Sequence, residues 1–191
     1  MIGEPTRLTI RRDFPRLDRA TVEEFGTRSA SFVADAQDGR GCLPFDIRAL
    51  ETGSRFCGSA LTCYCGARDN LAAQAALDYL QPGDVLVIAT QAFTGTACMG
   101  DNMARIALSR GAVAVVSDGL VRDADDIATI GLPVFCRGTT PATTFTNGPG
   151  EVGLPVAMGE VTVASGDLIL GDRDGGRREH ERHEEDSGKG S

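Results

Sequence analysis

Asp101 and, after twenty intervening residues, the adjacent pair Arg122-Asp123 are the residues in this chain best suited to chemistry. A guanidinium can hold a carboxylate through two parallel hydrogen bonds, a grip that an ammonium cannot reproduce. Asp101 and Asp123 offer hard oxygen ligands of the kind that suit Mg²⁺ or Mn²⁺. Immediately before Asp101 runs Gly95-Thr96-Ala97-Cys98-Met99-Gly100, a stretch of small residues that reads as a loop. A helix pattern follows it, and the free N–H groups and partial positive charge of a helix start favour an anion. Together these features describe a pocket for a small acid beside a divalent cation. The same residues also read as a helix cap and a turn with solvated charges, because paired charges are often structural.

The elements that must position these residues are short. Met103, Ile106, Ala107 and Arg110 recur at the spacing of one helical face, and Gly111 stops that helix. Ala112 to Val116 reads as a buried strand, closed by the turn signal Ser117-Asp118-Gly119. Upstream, Gly58–Cys65 is the first clear strand. Asp69 can cap a helix over Asn70–Leu80, with Leu71, Ala75, Ala76 and Tyr79 on its apolar face. Pro82-Gly83-Asp84 ends that helix, Val85 to Ala89 is an unbroken buried strand, and Pro133 to Cys136 is another. This alternation predicts an α/β arrangement with a largely parallel central sheet and flanking helices.

The flanks are less regular. Residues 1–20 read as a loose arm broken by Pro5 and Pro15, or as part of a subunit contact. Thr21 to Asp35 carries helices divided at Gly26-Thr27, with Phe32, Val33 and Ala36 turned to the core, and Leu43 to Leu50 holds a short strand. Thr139 to Gly153 is rich in Thr, Gly and Pro and reads as loop. Val161–Val163 and Leu168–Leu170 flank Ser165-Gly166-Asp167 as a hairpin. A single domain over residues 21–175 is expected. Residues 176–191 form a charged tail with no apolar residue, expected to be disordered.

A length of 191 residues fits one domain, and 41% apolar with 24% charged residues is ordinary for a soluble protein. A net charge of −8 disfavours direct nucleic-acid binding, which clustered Lys and Arg drive. No apolar run has the length of a membrane span and no signal-peptide core opens the chain, so a cytoplasmic protein is expected. The six cysteines then read as reduced thiols. Cys63-x-Cys65 invites a zinc reading, but a structural zinc site needs four ligands. The only histidines, His180 and His183, lie in the charged tail. Small core residues are the better reading of the cysteines.

The spacing from Asp101 to Arg122-Asp123 resembles the motif of the 4-hydroxy-4-methyl-2-oxoglutarate aldolase and ribonuclease-regulator A family, some of whose members were once labelled menaquinone methyltransferases. The likeness extends in family order through Asp35-Ala36, Gly58-Ser59-Ala60-Leu61-Thr62, Asp69-Asn70-Leu71, Gly83 to Ile88, Asp118-Gly119, Pro133-Val134-Phe135, Gly166-Asp167 and Gly171-Asp172. The resemblance implies a swivelling β/β/α sandwich. It also implies a metal-dependent lyase acting on pyruvate-derived 2-oxo acids, by retro-aldol cleavage or oxaloacetate decarboxylation through a pyruvate enolate. Arg122 would hold the substrate carboxylate and Asp123 the Mg²⁺ or Mn²⁺. Backbone N–H groups around Gly100, Asp101, Asn102 and Met103 would cradle the pyruvyl carboxylate; Asp101 would orient the loop or a water, and Asn70 would line the pocket. Family sites lie at subunit interfaces of homotrimers or hexamers and draw a carboxylate from the neighbouring C-terminal region, for which this chain offers no match. In place of the family's Val-rich strand after Asp-Gly, this chain has Gly-Arg-Arg-Glu. A non-catalytic, protein-binding regulator of ribonuclease activity is the alternative that the same family implies.

Overall fold

The computed structural model describes residues 7–179. In chain order its elements are β1 (Leu8–Ile10), α1 (Arg19–Gly26), α2 (Ala30–Ala36), β2 (Arg48–Ala49), β3 (Phe56–Cys65), and α3 (Leu71–Ala76), which a 3-10 turn (Leu77–Tyr79) continues. Next come β4 (Asp84–Ala89), β5 (Ala97–Met99), α4 (Asp101–Ser109), β6 (Ala114–Ser117), β7 (Leu120–Val121), α5 (Ala124–Ile130) and β8 (Val134–Cys136). The last are β9 (Gly150–Val152), β10 (Val156–Met158), β11 (Val161–Val163), β12 (Leu168–Asp172) and β13 (Gly175–Glu179).

The centre of the molecule is a parallel run, β3-β4-β6-β8, with β2 antiparallel on its far edge. Strand β4 shows why its sequence is continuously apolar. Val85, Val87 and Ala89 point to one face, where Val156, Met158 and Val163 of the β10–β11 hairpin cover them. Leu86 and Ile88 point to the other, against Ala72, Ala76, Ala104, Ala107 and Ile127 of the three helices α3, α4 and α5. A strand buried on both faces has no polar side to alternate with. The layers are therefore hairpin, sheet and helices, the β/β/α sandwich with a largely parallel central sheet.

The ten-residue β3 is long enough to carry two neighbours end to end on one edge. Its first part pairs antiparallel with β12, Ser59 opposite Leu168, and its last part with β9, Cys63 opposite Val152. Strand β1 then adds to β9 in parallel. The expected loose arm is thus, over residues 7–18, a part of the sheet. Arg16 secures it by donating from Nε and Nη2 to the two carboxylate oxygens of Asp84, at 2.8 and 2.9 Å, and the Asp84 side chain is only 1% exposed. Residues 1–6 lie outside the described residues.

Several other expectations are corrected. Helix α1 begins at Arg19 because Asp18, not Thr21, caps it, its carboxylate accepting from Thr21 N. Phe32 is 56% exposed, and Ala30 with Val33 makes the buried face of α2. In α3 the buried residues are Ala72, Ala73 and Ala76, because only methyl-sized side chains let the helix lie this close to the sheet. In α4 they are Ala104 and Ala107, leaving Ile106 exposed. Strand β11 pairs with β10 rather than β12, since Gly159 (φ 68°) and Glu160 make a two-residue connection with Met158 opposite Val161. Helix α5, β5, β7 and β9 were not anticipated.

The charged tail is corrected too. Gly175–Glu179 pairs along the whole of β12, so the disorder expected from residue 176 does not begin there; residues 180–191 lie outside the described residues. The pairing draws Arg177 inside, where it is 1% exposed. Its Nη1 donates to Cys42 Sγ at 3.1 Å and its Nη2 to Gln37 Oε1 at 2.6 Å, its Nε has no partner, and no carboxylate of the described residues pairs with it. A buried cation without a counter-charge opposes folding. Arg177→Met is expected to stabilise the protein by about 1–4 kcal/mol, the range seen when buried charges give way to apolar residues of similar volume. Urea denaturation reads this directly, and a lower midpoint for the variant would mean that the guanidinium is a net stabiliser.

Candidate functional site

Four chain segments converge beyond the carboxyl ends of the central strands, the place where open α/β sheets form crevices. They enclose a cavity of about 280 Å³ lined by Asn70, Gln74, Ala97, Met99, Gly100, Asp101, Asn102, Met103, Arg122, Thr143, Thr144 and Thr146. Six residues expected at the site, Gly100, Asp101, Asn102, Met103, Asn70 and Arg122, thus share one lining. Asp123 lies immediately behind it.

The small-residue stretch is half strand: β5 pairs in parallel with β7, and Arg122 N donates to Met99 O at 3.0 Å. That pairing brings the start of α4 beside the start of α5. Gly100 is the N-cap of α4 and has no side chain to cap it, so the first-turn N–H groups remain open to an anion. Asp101 opens the helix, and Arg105 one turn on donates to its carboxylate at 3.4 Å. Asp123 is the N-cap of α5 in the left-handed region (φ 58°, ψ 42°), a conformation that costs a non-glycine residue of order 1–3 kcal/mol. Arg122 Nε meets Asp123 Oδ2 at 3.2 Å, and its Nη1 donates to Thr143 Oγ1 at 3.4 Å.

Gly100 is required by this closeness. A Cβ there would lie 2.5 Å from Asp123 Oδ2 and 3.1 Å from Cγ and Nε of Arg122. Gly100→Ala is therefore expected to push both side chains aside while the fold holds. Activity should drop about 100-fold, the effect of an ångström-scale misplacement. Steady-state kinetics beside an unchanged thermal midpoint check this; unchanged turnover would place the reacting groups elsewhere.

Asn70 is 7% exposed and fully engaged. Its Nδ2 donates to Cys98 O at 3.2 Å and points to Met103 Sδ at 3.8 Å; its Oδ1 accepts from Gln74 Nε2 and Thr146 Oγ1, both at 3.0 Å. It lines the cavity as a brace. Asp69 does not cap α3 alone: its carboxylate accepts from Leu71 N at 2.8 Å and from Asn147 N at 2.6 Å, tying the helix start to the threonine segment. Gln74, Thr143, Thr144 and Thr146 escaped the sequence reading. The one signal for them was the density of hydroxyls between Thr139 and Thr146.

The metal donors are carboxylate oxygens, and among the described residues no three His, Cys, Asp or Glu side chains gather in one place. That set suits a hard cation held by one or two carboxylates and completed by water, and it does not suit zinc. The glycine at residue 100 leaves Asp123 Oδ2 approachable from the cavity side. All six cysteines are free. Cys63, Cys65, Cys98 and Cys136 are buried as expected, whereas Cys42 is exposed and Cys57 half-buried. Burial pushes the Cys98 thiol up to about 12 and Cys57 to about 11, which makes both poor nucleophiles. His180 and His183 lie outside the described residues. No helix among the described residues is long and apolar enough to cross a membrane.

The RraA-like family, described as Aldolase/RraA, matches residues 30–176. The chain is 35% identical over 154 residues to a Halalkalibacterium halodurans protein provisionally named 4-hydroxy-4-methyl-2-oxoglutarate aldolase, covering 81% of this chain and 73% of that one. It is 30% identical over 133 residues to a 4-hydroxy-4-methyl-2-oxoglutarate aldolase of Thermus thermophilus, covering 70% of this chain and 80% of that one. Among solved structures it superposes with TM-score 0.76 and 31% identity on Streptomyces coelicolor RraAS2, described as an unusual member of the RNase ES inhibitor RraA protein family. That match covers 85% of this chain and 86% of the other.

Proposed function

The chain belongs to the RraA-like family, and we propose that within it this protein is a divalent-metal-dependent carbon–carbon lyase for pyruvate-derived 2-oxo acids. Its reactions would be retro-aldol cleavage of 4-hydroxy-2-oxo acids, oxaloacetate decarboxylation, or both. The observation that carries this reading is the convergence of Arg122, the uncapped start of α4 and the Asp123 carboxylate at one cavity.

Arg122 grips the substrate carboxylate with its planar fork, supported by the hydroxyl of Thr143. The N–H groups of residues 101–103 face the negative charge that collects on the pyruvyl half. Asp101, held by Arg105, orients a water for proton transfer at the C4 hydroxyl. Asn70 keeps the Cys98–Met103 segment in place. When bound at Asp123, Mg²⁺ or Mn²⁺ supplies Lewis-acid stabilisation of charge on the 2-oxo oxygen. The chain's one lysine, Lys189, lies outside the described residues, so no described side chain can form a Schiff base with the substrate. The enolate must then be stabilised electrostatically.

Phe145, between the cavity residues Thr144 and Thr146, is 61% exposed, and Phe45 is 82% exposed. These apolar surfaces support a trimer or hexamer with the site at a subunit boundary. The rival reading, a protein-binding ribonuclease regulator, draws on the name of the Streptomyces relative. Coupled pyruvate release from oxaloacetate separates the two. We expect turnover with Mg²⁺ and only background after chelation; a folded oligomer inactive with every divalent cation would favour the regulator.

A further inference from the structure

The cavity has one cationic side chain on its lining, and it stands at one end. Arg122 occupies that end with Thr143 hydrogen-bonded to it. The opposite wall is Gln74, Thr144 and Thr146, all neutral. Gln74 and Thr146 bond to each other at 3.2 Å and both to Asn70, so their polar groups are largely engaged. Thr144 differs: its Oγ1 is buried and has no hydrogen-bond partner among the described residues. A buried hydroxyl without a partner is uncommon and marks a place where a ligand atom or water belongs. The remaining charge at the cavity, Asp101 on the lining and Asp123 behind it, is negative.

Resting on the lyase reading, we infer that the substrate of this site carries one carboxylate: a 4-hydroxy-2-oxo monocarboxylic acid whose neutral, hydroxyl-bearing end lies against Thr144. One guanidinium serves one carboxylate. A second carboxylate at C4 would face hydroxyls, an amide and two aspartates, with no cation to offset its desolvation. A hydroxyl or aldehyde oxygen at that place meets the unsatisfied Thr144 Oγ1 instead, and sites built to hydrogen-bond a substrate group discriminate strongly on it. In the cleavage, the C3–C4 bond breaks and its electron pair goes to C3. The C4 hydroxyl loses its proton to water and becomes the aldehyde carbonyl; C3 then takes a proton from solvent. The products are pyruvate and a neutral aldehyde, with no oxidant or reductant consumed.

The test is a comparison of pyruvate release, with Mg²⁺ present, from 4-hydroxy-2-oxopentanoate and 4-hydroxy-2-oxoglutarate, in which a methyl and a carboxylate occupy the same position. The full chain is expected to prefer the pentanoate at least about 10-fold in kcat/KM. Thr144→Val should remove about 10-fold of the pentanoate rate and leave the glutarate rate nearly unchanged. Thr146 is exposed, so a longer cationic chain fits there, and Thr146→Lys should move the preference toward the dicarboxylate. Equal rates, or a parent that prefers the dicarboxylate, overturn the inference. Cleavage of neither compound overturns it as well. In that case, metal-dependent oxaloacetate decarboxylation shows that the lyase reading survives, and its absence shows that both fall.

Discussion

Arg122→Lys is expected to retain the fold and lose about 100-fold in kcat/KM, a loss of the size that imperfect substrate placement produces. The positive charge survives the change, so a site that used Arg122 only for electrostatic attraction would hardly notice. The geometry argues otherwise. Arg122 presents Nε toward Asp123 and Nη1 toward Thr143, which fixes the plane of the fork over the cavity. An ammonium offers three rotatable donors in no plane and cannot take over both the Asp123 contact and a two-point carboxylate grip. At 42% exposure the side chain contributes little to stability, so the thermal midpoint should stay within a degree or two of the parent while turnover collapses. Near-parental kcat/KM would reduce Arg122 to a surface charge.

Asp123→Asn should have the larger effect. Catalysis is expected to fall by on the order of 10³-fold, the consequence of removing a strong electrostatic stabiliser of a developing oxyanion. Mn²⁺ affinity, followed by water-proton relaxation or calorimetry, should fall with it, because ligand charge is the main determinant of affinity for a hard cation. The amide is isosteric, so it can keep the α5 N-cap position, and asparagine tolerates the left-handed conformation there as well as aspartate does. Loss of metal binding without loss of helix is therefore the expected signature. Parental Mn²⁺ affinity in the variant would put the cation somewhere else.

The charged groups of the site were legible because their chemistry is carried by residue type. Gly100, Asp101, Arg122 and Asp123 announced themselves by spacing, and β4 by an apolar run with no polar face. The threonine wall was not legible. Thr143, Thr144 and Thr146 sit in a segment without periodicity, and their place at the cavity depends on contacts to Arg68, Asp69 and Asn70, more than seventy residues earlier. Strand β13 was hidden for a different reason. Gly175 to Glu179 has no β-branched or aromatic residue, and only the open edge of β12 makes it a strand. Helix α5 buries Ile127 alone, too little apolar signal for any period to emerge. The hairpin was misassigned because two alternating segments follow Gly159, and the tight turn that decides between them rests on one backbone angle.

The shared edge of β3 has a consequence for how the molecule comes into being. Its partners on that edge, residues 150–152 and 168–171, are made roughly a hundred residues after it. At the usual pace of protein synthesis, about 5–20 residues per second, roughly 5–20 seconds separate the emergence of β3 from that of its last neighbour. Through that interval β4 can cover one side of β3, but the other remains an open template of unpaired N–H and C=O groups beside apolar side chains. Contacts of such long sequence separation also place this fold among slow folders. A nascent chain of this design spends its first seconds vulnerable to strand capture by its neighbours, and its yield in a cell depends on how crowded the ribosomes that make it are.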